Sequence, residues 1–234
     1  MPNWCDNQLE VVGDRDELQR FVDATKNNNE EGSHGLNHLF PIPQQLVETT
    51  SGWFSDPDEQ AKQTAKEEAN VAKFGHTDWY HWAIENWGSK WGASNFQWTS
   101  FDYELDEESV LHGAPSSVLK VKDTDKYIGA NFQSAWSPCD GLIKTISTQF
   151  PTLIFSVVST EESDAFACYS IFRNGEVVVE DGEQPQMPKE LEEYLAKDEN
   201  NGSDEYFEML QNWQLEYQDK WNSEADKALQ NLMK

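Results

Sequence analysis

The residue with the clearest chemical potential is Cys139, in the stretch SPCDG (137–141). It lies one position past Pro138 at the start of a predicted helix, where the helix dipole favours a thiolate and lowers the thiol pKa. A nucleophile also needs a base, and the sequence fixes no histidine beside it. Four of the five histidines form two close pairs, His34 with His38 and His76 with His81. Zinc would need a further Cys, His or carboxylate at a standard spacing, which neither pair has. The acid-rich DTD (123–125) and EESD (161–164) lack the twelve-residue calcium-loop pattern. GSKWG (88–92) puts a lysine between glycines, but it is too short for a phosphate loop and follows a predicted helix instead of opening one. No catalytic, cofactor or metal residue set is therefore expected. A cysteine or metal enzyme centred on Cys139 and the histidines stands as a secondary alternative.

Aromatic residues offer a different chemistry. Trp98, Phe101, Tyr103, Phe132 and Trp136 fall in predicted strands, and sheet aromatics can stack RNA bases. Such stacking needs a positive surround. Here 43 acidic residues face 17 basic ones, a formal charge of −26. Direct nucleic-acid binding and attachment to an anionic membrane are both disfavoured, and core packing is the expected role of these rings. Trp79, Trp82, Trp87, Trp91 and Trp98 crowd one short stretch. They are expected to form a small tryptophan core, the alternative being an exposed patch for a protein partner. Cys5, Cys139 and Cys168 are odd in number and well separated, with no CxxC. They point to buried thiols in a reducing cytoplasm. No leader and no 18-residue apolar run is seen, so secretion and membrane spanning are not expected.

The elements that would position these residues follow from periodicity. NQLEVVG (7–13) alternates as a strand. DRDE (14–17) resembles a capping box, with Asp14 as cap, ahead of a helix to about residue 26 carrying Leu18, Phe21 and Val22 on one face. Asp56 and Pro57 open a second helix whose apolar residues are mostly alanines, so it should lie on the surface. Thr77 or Asp78 caps a helix that Gly88 ends. Strands follow at 95–104 and 127–136. Ser137 is the expected cap of a helix over 138–150, with Leu142, Ile143, Ile146 and Phe150 as its stripe. LIFSVVST (153–160) is a strand, and FACYSIF and EVVVED form a hairpin about Asn174-Gly175. Helices are predicted over about 189–197 and 204–232, the second with Tyr206, Leu210, Trp213, Tyr217, Trp221, Ala225 and Ala228 on one stripe.

Omitting an insertion at about 30–92, the order is βαββαβ. That is the α+β, ferredoxin-like (split βαβ) antiparallel sheet. It is elaborated here by a helical, Trp-rich insertion, an added β-hairpin and C-terminal helices. The expected organisation is a ferredoxin-like domain over 1–182 and an acidic helical extension over 183–234, docked on it. Residues 160–234 hold half of the net negative charge.

The motifs MPNWC with Asn7 and Gly13, FPIP (40–43), ENWGSKW (85–91) and SAWSPCDGLI…FPTLIFS (134–156), in that order, resemble the YubB ferredoxin-like family. The resemblance spans about 1–182 and implies an accessory protein of phages or plasmids working in a bacterial cytoplasm. It carries no catalytic residue set. The acidic extension departs from the family's shape. The reading favoured is a non-enzymatic protein that binds a host protein through a nucleic-acid-mimicking acidic surface, the partner presenting a basic surface such as that of a defence or nucleic-acid-binding protein. Glu192, Glu193, Asp204, Glu205, Glu208, Glu216 and Asp219, with Trp213 and Trp221, are the candidate contacts. The alternative is an assembly protein that oligomerises through the aromatic stripe of the last helix.

Overall fold

The computed structural model describes residues 2–26, 34–49, 52–100, 119–122, 126–161, 166–195, 197 and 203–233. Six strands form one antiparallel sheet in the order β2-β3-β1-β4-β5-β6. They are β1 (Trp4–Val12), β2 (Ser94–Trp98), β3 (Tyr127–Ala135), β4 (Ile154–Glu161), β5 (Ala167–Arg173) and β6 (Glu176–Glu183). Two helices, α1 (Arg15–Ala24) and α5 (Asp140–Gln149), complete the βαββαβ frame. The spatial order of β1 to β4, with β1 between β3 and β4, is that of the ferredoxin-like plan. The hairpin β5–β6 extends the sheet past β4. Its turn needs a positive φ at both central residues, and Asn174 (50°) and Gly175 (79°) supply it.

Strand alternation sorts the side chains into two faces. On the front face, Leu9 and Val11 of β1 join Ile128, Ala130 and Phe132 of β3 and Phe155 and Val157 of β4. Leu18, Phe21 and Val22 of α1 and Leu142, Ile143 and Ile146 of α5 close over them. Phe21 sits at the centre, edge-on to Phe150, Phe155 and Trp98 at 5.2, 5.3 and 6.0 Å between ring centroids.

The insertion adds α2 (Gln44–Val47), α3 (Pro57–Phe74) and α4 (Trp79–Trp87) to this layer. Trp82 and Trp87 are buried in the same core, and Trp87 Nε1 donates to the carbonyl of Phe40 at 2.9 Å. The alanines of α3 face outward. Its buried residues are Gln63 and Asn70, and Asn70 Nδ2 stitches the helix to Thr49 Oγ1 and to the Thr77 carbonyl.

The back face is covered over β4 and β5 by a long helix, α7 (Asp204–Leu232), preceded by the short α6 (Lys189–Leu195). Trp221, Ala225 and Leu229 pack on Val12, Ile154, Val158, Ala167, Tyr169 and Ile171. The extension is thus part of the domain's packing.

Three local expectations are corrected. Asp14 precedes α1 but its side chain makes no capping bond. Glu17, the other half of the expected box, is held instead by Arg20, with its Oε2 2.7 Å from Nη2. Ser137 does not cap α5. Its hydroxyl donates to the Gly88 carbonyl, and Cys139 takes the cap position without a side-chain bond. The strand expected over 95–104 ends at Trp98, and Phe101 and Tyr103 lie outside the described residues.

Candidate functional site

Cys139 is only 1% exposed, and burial pushes its thiol up to about 12 despite hydrogen bonding to Ser134 and Ser89. Desolvation therefore outweighs the helix dipole, and the expected lowering of the pKa is reversed. Cys5 is pushed up to about 12 by burial and by the charge of Glu161, and Cys168 by burial and Asp140. The four described histidines serve the scaffold. His34 Nδ1 bonds Thr25 Oγ1 at 2.9 Å and His38 Nε2 bonds the Ala24 carbonyl at 2.8 Å, both at the end of α1. His81 Nδ1 bonds Asp78 Oδ2 at 2.8 Å, and His76 Nδ1 lies 3.6 Å from Glu85. Among the described residues no group of three or more His, Cys, Asp or Glu is arranged to hold a metal ion.

Asn7, read from the sequence only as part of the MPNWC motif and not as a site residue, is the hub of a buried network. Its Nδ2 donates to Ser134 Oγ (2.9 Å) and to the Cys5 carbonyl (3.0 Å), while Ser159 Oγ donates to its Oδ1 at 2.7 Å. Ser134 Oγ donates on to the Ser137 carbonyl, and Ser89 Oγ exchanges hydrogen bonds with the backbone of Ala135. The network lashes MPNWC, GSKW and SAWSPCDG together at one end of the sheet. The contact is close: a Cβ on Gly141 would stand 2.4 Å from the Asn86 carbonyl oxygen. On the outside, Trp91 stacks with Trp4 (6.0 Å) and Trp136 (5.8 Å), and the Lys90 ammonium lies 4.6 Å from the Trp91 ring centre.

The acids singled out from the sequence are all exposed: Glu192 and Glu193 on α6, and Asp204, Glu205, Glu208, Glu216 and Asp219 on α7. Glu205 accepts a hydrogen bond from the Tyr194 hydroxyl at 2.8 Å. Strand β6 adds Glu176, Glu180, Asp181 and Glu183, exposed on the outermost strand of the sheet. The charge-rich sequence EVVVEDGE could have marked this strand as acidic and uncovered. Trp221 is corrected. At 4% exposure, packed 6.0 Å from the Tyr169 ring, it belongs to the core and cannot be a surface contact. Trp213 is half-buried, 6.2 Å from the Tyr217 ring, and faces a groove.

That groove runs between α7 and the part of the back face the helix leaves open. Its centre is a cleft of about 460 Å³ over β1, β3 and β2, bounded by Gln218 of α7. One adjoining cleft of about 310 Å³ shares Asp6 and Gln218 with it and contains Trp213 and Tyr217. The other, also about 310 Å³, shares Gln8 and Asn131 and reaches Glu10 and Asp226. The Glu10 carboxyl is pushed up by burial and by the neighbouring Asp226. Within the central cleft Asn95 Nδ2 donates to Gln133 Oε1 (2.8 Å) and Gln133 Nε2 donates to Asp6 Oδ1 (2.9 Å).

No family model matches the chain, and no curated protein matches it. Among solved structures it is similar to the crystal structure of the protein api92 from Yersinia pseudotuberculosis, which carries the family label DUF1281. The two share 11% identity over 80% of this chain and 99% of that one, with a TM-score of 0.40. Among the described residues no helix is long and apolar enough to cross a membrane.

Proposed function

We propose that this protein is a non-enzymatic accessory protein of phage or plasmid type, akin to the YubB ferredoxin-like family, that binds a basic surface of a host protein in a bacterial cytoplasm. The observation that supports this reading is the one-sided chemistry of its outer layer. The exposed acids of β6, α6 and α7 follow one another along the same segment of chain, with Lys189, Lys197, Lys220 and Lys227 as the cations described between them. Two of these are already committed, Lys220 to Glu183 and Lys227 to Glu224. Carboxylates displayed this way can take the positions that phosphates occupy on a nucleic-acid-binding protein, and they speed encounter by steering.

The test is capture of host proteins from lysate at low and high salt, followed by binding measurements on a purified hit. The expected result is a basic partner whose affinity falls steeply with ionic strength and falls again when Glu192, Glu193, Glu208 and Glu216 are changed to glutamine. Recovery that ignores salt, or a partner indifferent to those changes, overturns the proposal. One observation favours self-assembly as a second reading: Phe207 and Leu215 on the first half of α7 are 56% and 52% exposed. A solution mass above that of the 26.9 kDa monomer in the same preparation would favour it.

A further inference from the structure

We propose that the groove between the open back face of the sheet and α7 binds a neutral oligosaccharide. The site is separate from the acidic outer layer and does not rest on the reading given for it. Three features of its lining select this class of ligand.

The first is a ladder of free side-chain amides. In the strand register Gln8 of β1 pairs with Asn131 of β3, and Asn131 pairs with Gln97 of β2, so the three stand side by side across adjacent strands, about 5 Å apart. Gln218 faces them from α7. Among the described residues the side chains of Gln8, Gln97, Asn131 and Gln218 make no hydrogen bond, whereas their neighbours Asn95, Gln133 and Asp6 are locked to one another. Each amide offers two donors and an acceptor. Vicinal sugar hydroxyls, each both donor and acceptor, are the neutral groups that answer such a row.

The second is charge. Among the described residues no cationic one lines any of the three clefts. With a formal charge of −26 on the chain, phosphates, sulfates and nucleic acids are repelled. Among the described residues Asp6 is the one acid lining the central cleft, and Gln133 already occupies one of its oxygens. A cation therefore finds little there that a hydroxyl does not.

The third is shape and aromatic surface. The central cleft lies within the range of roughly 300–1,000 Å³ usual for small-ligand sites, and the clefts on either side continue it into a groove long enough for more than one ring. Trp213 and Tyr217 at one end offer the flat apolar surface on which the C–H face of a pyranose packs.

The experiment is titration of the full chain with maltotriose, cellotriose and chitotriose, alongside a heparin fragment and oligolysine, read by calorimetry and by NMR of the Asn and Gln side-chain amides. At least one neutral trisaccharide is expected to bind with a dissociation constant of about 1 mM or tighter, to shift the side-chain amides of the ladder, and to be insensitive to salt. The double variant Gln97→Ala, Asn131→Ala should lose at least about tenfold in affinity. Both residues are exposed, so its melting temperature should match that of the parent. The glutamine changes at Glu192, Glu193, Glu208 and Glu216 should leave sugar binding unaltered, which separates this site from the acidic surface. No trisaccharide binding up to about 10 mM, affinity that survives loss of the two amides, or binding by the heparin fragment or oligolysine alone would overturn the proposal.

Discussion

Asp78 illustrates how much one side chain carries in this chain. Its side chain is 1% exposed, and Oδ1 accepts from the backbone N–H groups of Tyr80 and His81 while Oδ2 meets Thr77 Oγ1 and His81 Nδ1. It thereby caps the helix that delivers Trp82 and Trp87 to the core. Asp78→Ala removes the cap and leaves those groups unanswered, so a loss of about 1–2 kcal/mol is expected in urea unfolding. The thiols make a complementary prediction. With all three pushed up to about 12, none should react with iodoacetamide in the native protein at neutral pH, and all three should react once it is unfolded; mass spectrometry reads the difference. The caps at Asp56 and Asp78 were legible in the sequence because each stands immediately before a helical run. The box at Asp14 misled because Arg20, one turn on, competes for Glu17. Cys139 misled because a position near a helix start can be read from sequence, whereas burial under the Asn7 network cannot.

Among the elements, α7 does the most that its sequence only half discloses. Its stripe was visible, and so was an apolar strand partner in LIFSVVST. What could not be seen is that the stripe reaches the sheet from Tyr217 onward, with Trp221 and Ala225 buried there and joined by Leu229, while Tyr217 packs at the cluster's edge and donates to Glu183 of β6. The first half overhangs the groove instead. Burial of Trp221 against Tyr169 makes Trp221→Ala cost about 3–5 kcal/mol. Ending the chain after Gly182 would uncover Val12, Ile154, Val158, Tyr169 and Ile171 together, so the truncated protein is expected to aggregate in light-scattering measurements, whereas a merely appended helix would leave a monomer. The order βαββαβ was readable because each element pairs a clear period with a turn or cap. The groove was not, since Gln8, Gln97, Asn131 and Gln218 come from four distant parts of the chain, and polar strand positions look alike whether they line a cleft or face solvent. β2 was read too long because aromatic richness continues past Trp98, and composition alone sets no end to a strand.

At the scale of the whole molecule, the excess of negative charge opposes compaction, and the direction in which pH moves stability follows from a few carboxylates. Glu10 is pushed up by burial and then by Asp226, and Asp140 by burial, which the hydrogen bond from Ser170 only partly offsets. For both, the folded state holds its proton more tightly than the unfolded chain. Their ionisation therefore costs stability above their folded pKa, and that cost disappears as pH falls through it. Asp78 works in the other direction. Burial raises its carboxyl, but the bonds from Thr77 and His81 outweigh that and hold it below its ordinary value of 3.8. Its contribution is complete above 3.8 and is lost as pH falls below it. Glu17, held down by Arg20, and Glu183, held down by Lys220 and Tyr217, shift the same way as Asp78 at the exposed surface. The expected profile in urea unfolding is thus a stability that rises from neutral to mildly acidic pH and collapses below about 4. Glu10→Gln should flatten the rising limb, because it removes a half-buried carboxylate that burial and Asp226 disfavour, and Asp78→Asn should blunt the acidic collapse. A stability that fell steadily from neutral pH downward would show that the raised carboxylates of the back face and of α5 do not govern the neutral-to-mildly-acidic range.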